Sequence, residues 1–136
     1  MRAKVGVLAA SLGLFAAVTS ASAHHAFGAE YDSEKPVTLK GSVTRVEWTN
    51  PHARFYVDIK DDHGNVANWN FELASPNVLV RNGWTRHSLK IGDEVIVQGS
   101  LAKDGSKMAN AKVVTLADGR RVFARESSDA APPPAQ

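Results

Sequence analysis

The sequence predicts a mainly β domain, and within that class a small OB-like Greek-key β-barrel of five to six strands with one short helix between strands 3 and 4. Short stretches of alternating apolar and polar residues recur along the chain and are separated by turn-forming Gly, Asn, Asp and Pro residues. A single helix signal follows the third of these stretches. The 136 residues allow one domain of this size. Another small β-barrel or a β-sandwich is the alternative fold.

The first three predicted strands precede the helix. Residues 37–48 alternate over most of their length, and Gly41 within them predicts a bulge that bends the strand. After a turn that contains Asn50-Pro51, the second and third strands are expected at residues 53–59 and 66–73. Each carries large apolar side chains at every second position, which places these side chains on one face of the strand.

The helix signal is a short segment with its own start and stop residues. Ser75 occupies the capping position and Pro76 the first turn, while Asn82-Gly83 ends the segment. A helix of two turns at most is therefore predicted over residues 76–81. Three more strands are expected after it, at residues 94–101, 109–116 and 121–123.

The expected core consists of the inward-facing apolar residues, because a barrel of this size fills its interior with side chains. They are Val37, Leu39, Val43, Phe55, Val57, Trp69, Phe71, Val95, Val97 and Val113. Burial of one such side chain contributes about 1.5–3 kcal/mol to stability.

The start of the chain has the pattern of a secretory signal. Two basic residues precede an apolar run at residues 5–18, and Ala21 and Ala23 supply the small residues of a cleavage site. The apolar run is shorter than the roughly 20 residues that span a bilayer. We therefore expect residues 1–23 to be removed as a signal peptide, so that the mature protein is exported and has His24 as its first residue.

The mature chain is expected to have an N-terminal arm at residues 24–36, the barrel domain at 37–124 and a disordered Pro- and Ala-rich tail at 125–136. Cysteine is absent from the sequence, which excludes disulfides and thiolate metal sites. Loss of Arg2 and Lys4 with the signal lowers the 16 basic residues to 14, equal to the 14 acidic ones. A nucleic-acid partner is therefore not expected. The expected partner is an unidentified protein or small molecule in the compartment to which the protein is exported, and membrane attachment is not expected after cleavage.

The expected mature start suggests a copper site. The α-amine and imidazole of an N-terminal His24 can chelate one metal ion, and a second histidine completes a T-shaped set of nitrogens, the histidine brace, which suits Cu(II). His25 and His52 are the candidate third ligands. If the cut instead follows Ala21, the amine, two backbone amides and His24 form a planar copper or nickel site. The competing interpretations are that the N-terminal histidines are solvated and that His52 holds its loop through a hydrogen bond.

The alternative is a protein-interaction or small-ligand module that uses an aromatic barrel face and no metal. OB barrels commonly bind ligands on the face of strands 2 and 3. Trp84, just after the helix stop, is the candidate exposed anchor, whereas Trp48 and Trp69 are expected in the core or at its rim. The candidate ligand-binding residues of this surface are Trp84, Arg86, His87 and Tyr56.

A catalytic centre is not indicated, and an enzyme is not expected. The sequence has no Gly-rich phosphate loop, no Ser-His-Asp order and no zinc-protease motif. Glu47 and Glu72 could approach each other across two strands, but only the strand register decides this.

Several longer stretches carry a family resemblance. They are His24-His25-Ala26-Phe27, Val46-Glu47-Trp48-Thr49-Asn50-Pro51-His52, Trp69-Asn70-Phe71-Glu72-Leu73-Ala74-Ser75-Pro76-Asn77, Gly83-Trp84-Thr85-Arg86, Gly92-Asp93-Glu94-Val95 and Ala102-Lys103-Asp104-Gly105-Ser106. Through them residues 24–123 resemble a family of small exported bacterial proteins known as a domain of unknown function. The resemblance implies a periplasmic location, an OB-like barrel and no particular activity, and it pairs the initial histidines with the Asn-Pro-His turn. Arg54 departs from the family pattern, in which an apolar or aromatic residue is expected at this position.

Overall fold

The computed structural model describes residues 28–124 of the chain. Residues 28–30 are helical, and the strands and the helix predicted after the third strand follow in the predicted order. They are β1 (Tyr31–Glu47), β2 (Arg54–Lys60), β3 (Val66–Glu72), α1 (Pro76–Arg81), β4 (Glu94–Ala102), β5 (Met108–Leu116) and β6 (Arg121–Phe123).

The strands form one sheet that closes on itself. Its strand order is β3-β2-β1-β4-β5-β6, and β3 also pairs with β5 in parallel. The strands β1, β2, β3, β5 and β4 therefore make a ring of five, which is not evenly arranged around an axis. The helix α1 lies between β3 and β4 in the chain. The prediction of a mainly β, OB-like barrel fold with one short helix after the third strand is confirmed.

Most of the predicted core residues fill the interior of this ring. Those that are buried are Val43, Phe55, Val57, Phe71, Val95 and Val97. Phe55 and Phe71 stack with their ring centroids 5.2 Å apart. Val37, Leu39 and Trp69 are partly buried and pack against the core. The period-two pattern of the sequence therefore located the inward face of these strands.

The core prediction for Val113 is wrong, because the register of β5 shifts beside it. Gln98 pairs with Val113, whereas Gly99 pairs with Ala111. One residue of β5 is thus skipped, and the inward and outward positions exchange. Val114 is fully buried in place of its neighbour. The shift belongs to the pairing with β4, so β5 alone does not reveal it.

Gly41 does not mark the bulge predicted for it. It pairs regularly with Ile59, and the register shift of β1 lies between Val43 and Arg45. A Cβ at Gly41 would lie 2.1 Å from the backbone oxygen of Asp58. The two strands approach so closely here that only glycine fits between them.

The first strand starts earlier than predicted, at Tyr31 and not at Val37. Tyr31 is 1% exposed and pairs with Ala102 of β4. The C-terminal part of the predicted arm therefore belongs to the sheet. Tyr31 stands among polar neighbours, so this segment has no alternation of apolar and polar residues that would predict a strand.

The helix α1 has its predicted bounds. It begins at Pro76 and is followed by Asn82 and by Gly83, whose φ of 87° lies in the left-handed region that favours glycine. The Ser75 side chain makes no capping hydrogen bond. Ser75 thus marks the boundary through its extended backbone and not through its hydroxyl.

Candidate functional site

The buried carboxylate of Glu72 organises a polar cluster where β2 and β3 meet. Glu72 is 2% exposed and lies opposite Arg54 in the register of the two strands. Phe71 faces the core, so the period of the strand puts Glu72 on the other face. Its oxygens contact the side chains of Tyr31, His52 and Arg54. Burial of an ionised carboxylate is tolerated when such partners compensate for lost water. We call these four residues the Glu72 cluster.

His52 holds one ring nitrogen against this carboxylate. Its Nδ1 lies 3.0 Å from Oε1 of Glu72, and its side chain is 33% exposed. When the imidazole is neutral, a proton on Nδ1 is donated to the carboxylate, and Nε2 keeps its lone pair. In the part of the chain that the structure describes, no hydrogen bond or ion pair occupies Nε2. The Nδ1 contact holds the loop of His52, while Nε2 has the chemistry of a metal ligand.

Tyr31 donates its hydroxyl hydrogen to the same carboxylate, with 3.1 Å between its oxygen and Oε2 of Glu72. Burial raises the pKa of the Tyr31 phenol above its usual value, and the negative charge of Glu72 raises this pKa further. The phenol therefore stays protonated and remains a hydrogen-bond donor. The contact joins the first residue of β1 to the last residue of β3.

Arg54 supplies the positive charge of the Glu72 cluster. Its guanidinium pairs with Oε2 of Glu72, and its Nη1 donates to Oδ1 of Asn70 over 3.4 Å. The side chain is 27% exposed. An apolar residue at this position would leave Glu72 without its cation.

The register places Glu47 and Glu72 on opposite sides of Arg54. Arg54 pairs with Glu47 across β1–β2 and with Glu72 across β2–β3. Glu47 accepts a hydrogen bond of 3.3 Å from the Tyr56 hydroxyl and forms an ion pair with Arg45. Each carboxylate thus has its own partners, and a cation separates the two strand positions.

The predicted metal ligands lie only partly in the described structure. His24 and His25 fall outside the described residues, so the structure does not test their part in a copper site. Within residues 28–124, His, Asp and Glu side chains form no group of three that could hold a metal ion. His52 can therefore supply one ligand there, and the copper site remains a prediction.

The expectation that Trp84 is an exposed anchor is wrong. Trp84 is 2% exposed and belongs to the hydrophobic core with Leu79 of α1. Its backbone nitrogen donates to the Leu79 carbonyl over 3.0 Å, which brings the chain back towards the barrel directly after the helix. Trp48 and Trp69 pack against the core as expected. The proposed aromatic face thus loses its central residue.

The other residues of the aromatic alternative lie in different surroundings. Tyr56 is half-buried, and the Arg45 guanidinium lies 3.8 Å from its ring centroid. Arg86 is exposed. His87 is also exposed and lines a surface pocket of about 380 Å³ together with charged residues, among them Lys90 and Arg120.

Sequence reasoning did not find the Glu72 cluster. The sequence predicts Tyr31 in the N-terminal arm and suggests Glu72 only as a possible neighbour of Glu47. The nearest signal was an acidic residue within an aromatic strand, followed by apolar Leu73-Ala74. The contact between Tyr31 and Glu72 joins residues 41 positions apart, so it needed the strand register.

None of the helices in residues 28–124 has the length and hydropathy that a membrane crossing requires. A family model described as a family of unknown function (DUF6152) matches residues 12–111. A comparison with curated proteins found none that matches.

Proposed function

Because the chain belongs to the DUF6152 family, a family of unknown function, we propose its role from its own residues: a periplasmic binding or accessory module that holds one copper ion. In this proposal residues 1–23 are removed as a signal peptide, and His24 becomes the first residue. Its α-amine and imidazole bind copper, with His52 as the further nitrogen ligand and His25 assisting. The observation that carries the proposal is the contact between His52 and Glu72.

A buried carboxylate behind a histidine is the usual outer partner of a metal-binding imidazole. Metal-ligating histidines almost always donate their second ring N–H to a carboxylate, a carbonyl or water, which fixes the tautomer and the ring orientation. His52 makes this contact through Nδ1 over 3.0 Å. Nε2 is then the nitrogen that would bind the ion.

The chain length before β1 is compatible with a shared site. Tyr31 touches the same carboxylate as His52, so the start of β1 lies close to the proposed ligand. His25 precedes Gly28 by three residues, and the helical residues 28–30 lead directly into Tyr31. Only a short segment therefore separates the proposed N-terminal ligands from the start of β1, which supports a site shared with His52.

The ligand set favours copper over other divalent ions. It consists of an amine and imidazole nitrogens, and the chain has no cysteine. Nitrogen ligands in a flattened arrangement suit Cu(II), whereas Mg²⁺ and Ca²⁺ require oxygen ligands. Zinc accepts imidazole as well, so a competition between copper and zinc belongs in the test.

The test begins with mass spectrometry of protein purified from the periplasm, which gives its first residue. Calorimetric titration with Cu(II) then compares the wild type with the variants His24→Ala and His52→Ala. His63→Ala is the matched control, because His63 is exposed in the β2–β3 hairpin. We expect a start at His24, one copper per chain, and binding weakened at least about 100-fold in both site variants but unchanged in the control.

Electron paramagnetic resonance of the copper complex should show nitrogen ligands in the wild type and a changed spectrum in His52→Ala. A start that leaves His24 internal, or copper binding that survives both substitutions, would contradict the proposal. The alternative of a small-ligand or protein-interaction module would then be pursued at the pocket beside His87.

A further inference from the structure

We propose that Tyr31 and Lys103 form a latch that holds residues 28–31 on the barrel, close to the Glu72 carboxylate that His52 also contacts. This inference rests on the proposed copper function for its consequence, but the latch itself is a property of the metal-free protein. Tyr31 and Lys103 would be positioning residues, not ligands of the ion.

The latch consists of contacts that arrive from two sides of the chain. Lys103 follows β4, and its backbone nitrogen donates to the carbonyl of Glu30 over 2.9 Å. Its Nζ donates to the carbonyl of Gly28. From the other side, the Tyr31 hydroxyl reaches Glu72 of β3. Consecutive residues of the arm are thus bound to two different strands or their ends.

The latch stands apart from the regular pairing of β1. Tyr31 pairs with Ala102 and Pro36 pairs with Ser100, and the register shifts between these pairs. Residues 32–35 therefore lie opposite a single residue of β4, and residues 33–35 are exposed. The ladder that begins at Pro36 cannot by itself hold the chain at Tyr31. Besides the pairing of Tyr31 with Ala102, the buried Tyr31 side chain and the Lys103 contacts hold it there.

A segment that is held on the barrel raises the effective concentration, near the barrel, of the ligand groups that precede it in the chain. A ligand group tethered near its partner binds as if it were present at millimolar or higher concentration, and this advantage falls as the tether becomes longer and more mobile. With the latch closed, the tether to His25 is counted from Gly28. With the latch open it is counted from Pro36, which lengthens it by eight residues. Loss of the latch should therefore weaken a metal site shared between the arm and His52.

The test uses the mature protein with Tyr31→Phe, which keeps the buried ring and removes only the hydroxyl. Tyr56→Phe is the matched control, because it removes a hydroxyl that contacts Glu47 outside the Glu72 cluster. Lys103→Ala removes the contact with Gly28, and Lys107→Ala is its control on the exposed β4–β5 turn. Each variant is measured without metal by hydrogen exchange of the amides at residues 28–32, and with metal by copper titration.

We expect the amides of residues 28–32 to exchange faster than in the wild type in Tyr31→Phe and in Lys103→Ala. In the two control variants we expect the wild-type exchange rate. We also expect copper binding at least about ten-fold weaker in Tyr31→Phe than in Tyr56→Phe. Unchanged exchange in Tyr31→Phe would overturn the latch, whatever the copper result. Faster exchange with unchanged copper affinity would overturn its positioning role, while the dependence on His24 and His52 would still stand. If copper binding proves independent of those histidines, the proposed function fails, and the exchange data alone decide whether the latch exists.

Discussion

Removal of the charge of Glu72 should destabilise the protein far more than removal of a similar charge on the barrel surface. Glu72→Gln keeps the size of the side chain but places an NH₂ group where a carboxylate oxygen now meets a donor. Each hydrogen bond to a charged group contributes about 1.5–3 kcal/mol, and Glu72 receives such contacts from three side chains. Arg54 is 27% exposed and His52 is 33% exposed, so water compensates for part of their loss. We therefore expect the free energy of unfolding to fall by about 3 kcal/mol.

Glu47→Gln is the matched control for this experiment. Glu47 stands on the other side of Arg54 in the register, but its side chain is 35% exposed and its partner Arg45 is 57% exposed. Exposed ion pairs contribute between about 0 and 1 kcal/mol. Urea unfolding followed by tryptophan fluorescence gives both free energies, with the m-value as a check on two-state behaviour.

A loss below about 1 kcal/mol in Glu72→Gln, or a loss equal to that of the control, would refute the reasoning. It would mean that the Glu72 cluster contributes no more to the free energy of unfolding than a surface ion pair does. The double variant Glu72→Gln with Arg54→Met isolates the coupling of the two charges. We expect it to lose less than the two single variants together, because the second substitution removes a cation that the first has left unpaired.

Two further predictions concern β1. Gly41→Ala should lower the free energy of unfolding by at least about 2 kcal/mol, because its Cβ would lie 2.1 Å from the backbone oxygen of Asp58. Urea denaturation of this variant and of the adjacent control Ser42→Ala checks the prediction. Equal stability of the two variants would contradict it. The raised pKa of Tyr31 means that the unfolded state loses the phenol proton first, so stability is fully present below about pH 10 and falls as the pH rises above it. Unfolding measured from pH 8 to 11 should show this fall in the wild type and a weaker one in Tyr31→Phe, and identical profiles would contradict the assignment.

The strands and the helix were predictable because their signals are local. Period-two alternation and turn residues located β2, β3, β4 and β5 to within a residue or two, and proline with a following Asn-Gly bounded α1. The order of these elements in turn indicated the OB-like closure, because three strands, a short helix and two or three further strands fit a partly open Greek-key barrel.

The errors arose where the outcome depended on pairing between distant segments. Val113 changed sides because of a shift against β4, and Gly41 was required by the approach of Asp58 and not by a bulge. Trp84 follows a helix stop, where a surface position is common, but its contact with Leu79 returns it to the core.

The sequence by itself determined the order and type of the six strands and of α1, most of the core and the candidate nitrogen ligands, because these depend on residue type and spacing along the chain. Only the tertiary structure decided that Glu72 is buried, that Tyr31, His52 and Arg54 meet on it, and that Trp84 is not available at the surface. Those facts depend on the register of the strands and on the closure of the ring. A shift of one residue in the register of a strand would turn its side chains to the opposite face of the sheet.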